Sequence, residues 1–115
     1  MSKNSLFILV LIVIVISATS VLFVNSLSDK PSKTEIDSAI NQARLLYEEK
    51  IKSKEDLSLG PCLSNAIIPN WAVDLVHNSR QPIDDLAENQ CPSYLEGRVK
   101  HFVELDLDGK LVRVK

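Results

Sequence analysis

The chain has 115 residues, a formal net charge of −2 and a mean hydropathy of +0.06. Its 15 acids against 13 Lys and Arg exclude a polybasic face of the kind that binds nucleic acid or anionic lipid. Three glycines leave no Gly-rich phosphate loop, and no cofactor is implied.

Residues 1–5 form a short polar tail. Residues 6–24 then run from Leu6 to Val24 without a charge or a proline. As a helix this stretch is about 28 Å long, near the ~30 Å of a bilayer's hydrocarbon core. It predicts a single-pass transmembrane helix that contacts the lipid bilayer. A cleaved signal peptide is the competing expectation, with Leu6–Ile16 as its apolar core and cleavage after Ser20. The return to Val21-Leu22-Phe23-Val24 favours the uncleaved anchor. Lys3 on one side and Lys30 with Lys33 on the other scarcely set its direction. Cys62 and Cys91, both beyond the anchor, suit a disulfide in an oxidising compartment. The expected location is therefore the cell membrane, with the C-terminal domain outside the cytoplasm.

Residues 25–33 read as a linker broken by Pro31, and residues 34–115 as one small α+β domain. Ser32 followed by Glu35 is a capping-box pattern. Ile36, Ala39, Ile40, Ala43, Leu46 and Tyr47 then recur at helical spacing, which predicts an amphipathic helix packed on a sheet. Trp71–His77 alternates large apolar with smaller or polar residues, as a strand would, and Pro69 limits the helical alternative. From Asn78 to Cys91 the chain reads as an irregular loop with one helical turn near Asp84–Asn89. Asp108-Gly109 is a hairpin turn. Counting outward sets Leu107 against Lys110, Leu105 against Val112, Val103 against Val114, and Glu104 against Arg113 as a cross-strand ion pair. The expected architecture is one amphipathic helix on a C-terminal antiparallel hairpin or three-stranded sheet.

Chemical constellations are sparse. Cys62, His77, Cys91 and His101 are zinc-ligand types, but no two lie within the close spacing of recognised sites. Glu104–Gly109 begins like a calcium loop, yet the twelfth position is Lys115, which cannot supply the closing carboxylate. Asp74 near His77, and Asp84-Asp85 with Glu88, could serve acid–base chemistry in a small metal-dependent hydrolase. Without a reactive cysteine or an elbow serine they make no catalytic assembly. Neither metal ligands nor catalytic residues are assigned. The polar segment of His77, Arg80, Asp84 and Asp85 is the candidate contact surface, because binding residues concentrate on loops held by a scaffold.

Gly60-Pro61-Cys62, Trp71-Ala72-Val73-Asp74, His77-Asn78, Arg80-Gln81-Pro82, Asp84-Asp85-Leu86, Glu88-Asn89-Gln90-Cys91 and His101–Asp106 resemble a group of small uncharacterised prokaryotic proteins. The likeness implies no activity. The layout of apolar helix, amphipathic helix, small sheet and late disulfide is also similar to that of pilins. It departs from them in having no glycine before the apolar run and no acid before Asp29. The chain thus reads as a membrane-anchored binding or assembly domain with an unspecified protein partner. A pilin-like subunit, a secreted domain or a hydrolase are its alternatives.

Overall fold

The computed structural model describes the backbone of residues 1–25 and 30–115 and the side chains of 1–19 and 30–115. It divides into two units, Met1–Pro31 and Ser32–Lys115.

The first unit is helix α1, Lys3–Asn25. Every side chain from Leu6 to Ile16 is exposed, so α1 has no polar face along this stretch. Among the described residues, no helix is long and apolar enough to cross a membrane. The side chains of residues 20–24 of the expected span, and residues 26–29 of the expected linker, lie outside the described residues.

The second unit is α+β, one long helix against a four-stranded mixed sheet. Helix α2, Lys33–Lys52, starts where Ser32 Oγ accepts the Glu35 amide at 3.2 Å. Only half of the expected capping box is made there. The Glu35 carboxylate instead accepts the Trp71 indole N–H at 2.8 Å, because a buried indole donor needs a partner. Ala39 and Ala43 are fully buried, and Ile36, Ile40 and Tyr47 pack beside them on the sheet. Ile51, near the continuation of the stripe, is exposed.

The strands are β1 (Cys62–Ile68), β2 (Trp71–Val76), β3 (His101–Asp106) and β4 (Leu111–Val114), in the spatial order of their numbering. The hairpin or three-stranded sheet expected from sequence is thus corrected to four strands. Strand β1 was concealed by Ser64-Asn65 and by two irregularities in its antiparallel register with β2, which break the alternation that marks a strand. Pro69-Asn70 joins β1 to β2, with Asn70 at φ 71°, as a tight turn requires. Strands β2 and β3 run parallel, Trp71 beside His101 through Val76 beside Asp106. Their connection, residues 77–100, carries 3-10 turns at Pro82–Asp85 and Ala87–Asn89 and the short helix α3, Pro92–Leu95.

The hairpin between β3 and β4 is present, with Val103 opposite Val114 and Glu104 opposite Arg113. Nearer the turn the register slips, so that Leu105 faces Leu111 instead of the expected Val112. The cause is Asp106, whose Oδ1 accepts the amides of Asp108 and Lys110 at 2.9 Å each. Tyr47 completes the turn by donating to the Leu107 carbonyl at 2.7 Å. Its ring lies where a Cβ on Gly109 would stand, and Gly109 has φ +79°.

Both faces of β2 are covered. Trp71, Val73 and Leu75 face α2 with Val103 and Leu105. Ala72 and Phe102 lie on the other side beneath Cys91, Val99 and Tyr94. The Cys62–Cys91 disulfide ties the crossover segment to β1, and Ser93 reinforces it by donating from N and Oγ to Asn65. This second layer explains why the positions expected to point outward on β2 are also covered.

Candidate functional site

The chemistry-bearing side chains gather where β2 and β3 end and the crossover begins. His77 directly follows β2, and the 3-10 turn at Pro82–Asp85 brings Asp84 back beneath it. Asp84 is 1% exposed. Its carboxylate accepts the His77 amide on both oxygens at 3.1 Å, the Gln81 amide at 2.8 Å and His77 Nδ1 at 2.8 Å. Burial opposes ionisation of Asp84, but the bonds from Gln81 and His77 outweigh it and hold the carboxyl below its ordinary range. Gly60 makes this close approach feasible, since a Cβ there would meet the Leu75 carbonyl and Asp84 Oδ1. Of the four candidate contact residues, Asp84 is thus a buried one, and it clamps the segment from inside.

A carboxylate bound to Nδ1 fixes the imidazole with Nε2 as its free nitrogen, the arrangement of an oriented base. His77 borders a recess of about 240 Å³ with Ser79, Gln81, Asp106 and Asp108. Among the described residues, the hydrogen bond recorded for the His77 ring is that to Asp84. His101 stands at the opposite end of the parallel pair, its ring 4.9 Å from that of Trp71. Cys62 and Cys91 are joined to each other. Thus the four zinc-type residues are not brought together, and no group of three or more metal-ligating side chains exists among the described residues.

Arg80 and Asp85 reach a second, connected cluster. Arg80 donates to Asp85 Oδ1 from Nε at 3.1 Å and from Nη2 at 2.8 Å. Its Nη1 reaches the Glu104 carboxylate at 3.3 and 3.4 Å. Arg113 Nη2 donates to the same carboxylate at 3.1 Å, so the expected Glu104–Arg113 pair is part of a larger assembly. The Glu104 side chain is 5% exposed, whereas those of Arg80, Arg113 and Asp85 are substantially open to solvent.

Asp74 completes this cluster. The parallel register places it beside Glu104 on one face of the sheet. Its Oδ1 is buried and accepts no hydrogen bond from the described residues. Burial, and next the Glu104 charge, push its carboxyl up to about 7, against a backbone hydrogen bond from Leu75 and the Arg80 charge, with Asp84 adding to the repulsion. Asp74, Arg80, Glu104 and Arg113 enclose one side of a cavity of about 70 Å³; Cys91, Tyr94 and Phe102 form the apolar side. Tyr94 meets the Phe102 ring edge-on at 4.8 Å, and the Arg113 guanidinium lies 5.0 Å from that ring's centre.

Sequence reasoning did not select Asp74, Glu104 and Arg113 as a contact site. The available signal was the acid at an alternating position in each of two apolar segments, which become neighbours only when the strands pair in parallel. No protein-family model, curated protein or solved structure significantly matches the chain.

Proposed function

We propose that the chain is a membrane-anchored binding module whose small extracytoplasmic domain engages a protein partner through the Arg80–Asp85–Glu104–Arg113 face. The observation that carries this reading is the Glu104 carboxylate, nearly buried yet gripped by Arg80 from the crossover and Arg113 from β4. Buried ion pairs add little net stability against an apolar alternative, because desolvation offsets their attraction. Here the arrangement holds a charged face on rigid strands, as a recognition surface requires. Asp84 supports that face from below by fixing the segment that carries Arg80 and Asp85.

Anchoring is supported by the uninterrupted exposure of apolar side chains on α1 from Leu6 to Ile16. The hydroxyls of Ser17 and Thr19 donate to the carbonyls of Ile14, Val15 and Ile16, which satisfies them without water. An extracytoplasmic location is supported by the disulfide.

Site-directed photocrosslinking in native membranes tests both parts. Probes at positions 80 and 85 are expected to capture a protein that a probe at Glu48 on α2 does not. The anchored protein is expected to resist alkaline extraction and to yield peptides from residues 1–20 by mass spectrometry. Equal capture at all three positions refutes the contact face. Loss of residues 1–20 with release into the soluble fraction refutes the anchor.

A further inference from the structure

The sheet has two edges, and they are finished differently. On β1 the backbone is already engaged: the Ala66 amide donates to Ser64 Oγ at 3.2 Å, and the Asn65 carbonyl accepts Ser93 Oγ at 2.8 Å. Two irregularities of register make β1 a still poorer template for another strand. At the opposite edge β4 has β3 alone as its neighbour. Phe102 and Lys115 exchange both backbone bonds, at 3.0 and 3.1 Å. Val114 comes next in that ladder, opposite Val103, and antiparallel alternation turns its N–H and C=O away from β3. Val112 falls where the register slips and has no opposite residue on β3. The side chains beside these groups are apolar and open, with Leu111 40% and Val112 42% exposed.

Charge narrows the occupant. Residues 110–115 carry three cationic side chains, Lys110, Arg113 and Lys115, and no acidic one, whereas acids outnumber Lys and Arg in the rest of the domain. Arg113 is shared with Glu104, and Lys110 and Lys115 enter no ion pair among the described residues. Cations on an edge repel a second copy of the same edge. Antiparallel self-pairing with Val112 opposite Val114 would set Arg113 directly opposite its own counterpart, and like charges so placed destabilise a strand pair. An acidic strand meets the same three positions with opposite charge. Its apolar side chains can cover Leu111 and Val112.

We propose that the outer edge of β4 receives an extended acidic segment of the partner protein, which adds to the sheet as a fifth strand. Main-chain bonds to the outward groups of Val114 would hold the segment, and Lys110, Arg113 and Lys115 would select its acids. The proposal rests on the reading of the Arg80–Asp85–Glu104–Arg113 face as a protein-contact surface and names the kind of segment that docks beside it. A recess of about 290 Å³, lined by Arg80, Glu104, Val112 and Arg113 among others, joins that face to the edge.

The test uses the full chain in detergent micelles, with a capped Glu-Val-Glu-Val-Glu peptide as the probe and NMR as the readout. Shifts are expected along β4 and around Glu104, and amide exchange at Val114 should slow at least tenfold when the peptide is bound. Glu-Pro-Glu-Pro-Glu keeps the acids but loses strand donors, and Lys-Val-Lys-Val-Lys reverses the charge; each should bind at least tenfold more weakly. The exposed pair Lys110→Gln and Lys115→Gln should weaken binding of the acidic peptide several-fold, and added salt should do the same. Equal binding by the proline peptide, or binding without protection of Val114, overturns strand addition. Equal binding by the lysine peptide overturns the acidic assignment. In native membranes a photocrosslinking probe at position 112 should capture the same protein as probes at 80 and 85, through an acidic segment of it identified by mass spectrometry, and a probe at Ala66 on β1 should not. Capture of a second copy of this chain at position 112 overturns the assignment to another protein. Capture at 80 and 85 but not at 112 overturns the proposal and leaves the contact face standing, whereas strand addition of the peptide with no capture at 80 or 85 removes only that face.

Discussion

Replacing Asp74 with asparagine keeps the side chain's shape and removes a charge that the fold accommodates badly. The carboxyl is pushed from 3.8 to about 7 by burial and by Glu104. At about 1.36 kcal/mol per pKa unit, the penalty for holding Asp74 ionised has a ceiling of about 4 kcal/mol. Because the residue lines a cavity with access to solvent, roughly half of that, about 2 kcal/mol, is the expected effect. The pH dependence follows from the raised pKa. Protonated Asp74 costs the folded state little, so the favourable term is fully present below the unfolded value near pH 4. It is lost as pH rises through about 7. Asp74→Asn should therefore be more stable than the parent by about 2 kcal/mol at pH 8 and equal to it at pH 4. Urea unfolding followed by fluorescence of Trp71, the sole tryptophan and fully buried, measures both points. A difference that is the same at pH 4 and pH 8 would refute the electrostatic reasoning, and so would a variant less stable than the parent at pH 8.

Further substitutions probe the supports of the site. Cys62→Ser opens a link of sequence separation 29; the chain-entropy estimate is about 3.6 kcal/mol, and calorimetry should find the melting temperature lower by at least 10 °C. Glu35→Ala strands the Trp71 indole N–H and should cost about 1–3 kcal/mol, with Glu35→Gln restoring most of it in the same urea assay. Gly109→Ala forces a Cβ into the Tyr47 ring at a positive φ and should cost at least about 1 kcal/mol, reduced when combined with Tyr47→Ala. Asp84→Ala removes the acceptor shared by His77 and Gln81 and should cost about 3 kcal/mol at pH 7. Because Asp84 is held below its ordinary range, its contribution is present above that range and lost as pH falls through it. The gap between parent and Asp84→Ala should narrow on acidification in denaturant titrations.

Local signals were legible wherever neighbouring residues alone decided the structure. Ser32 caps α2, its apolar stripe faces the sheet, and Val103–Val114 and Glu104–Arg113 pair across the hairpin. The same local logic failed where a distant group took over a residue. Glu35 was drawn from its capping role to Trp71, and Asp106 and Tyr47 reshaped the turn after β3. Strand β1 escaped notice because its pattern is broken by Ser64 and Asn65, one of which anchors Ser93 across the second face.

Of the candidate contact residues, Arg80 and Asp85 form one ion-pair network, while His77 and Asp84 lock the chain beneath it. Loop composition suggested all four equally. It could not distinguish a solvated carboxylate from one sealed at 1% exposure, because that depends on Gly60 and β2 closing over Asp84.

By itself the sequence determined the oily N-terminal helix, the amphipathic helix, the hairpin, and two cysteines suitably placed to join. Each of these rests on short-range periodicity or on residue chemistry. Only the tertiary structure decided that β2 and β3 run side by side in parallel. That pairing sets Asp74 beside Glu104 across a gap of thirty residues, and the disulfide-tied crossover roofs them into a cavity. Two acids that look like ordinary outward-facing positions in separate strands thus become neighbours in one desolvated site with Arg80 and Arg113. The cause is long-range strand order, which no local pattern in the chain encodes.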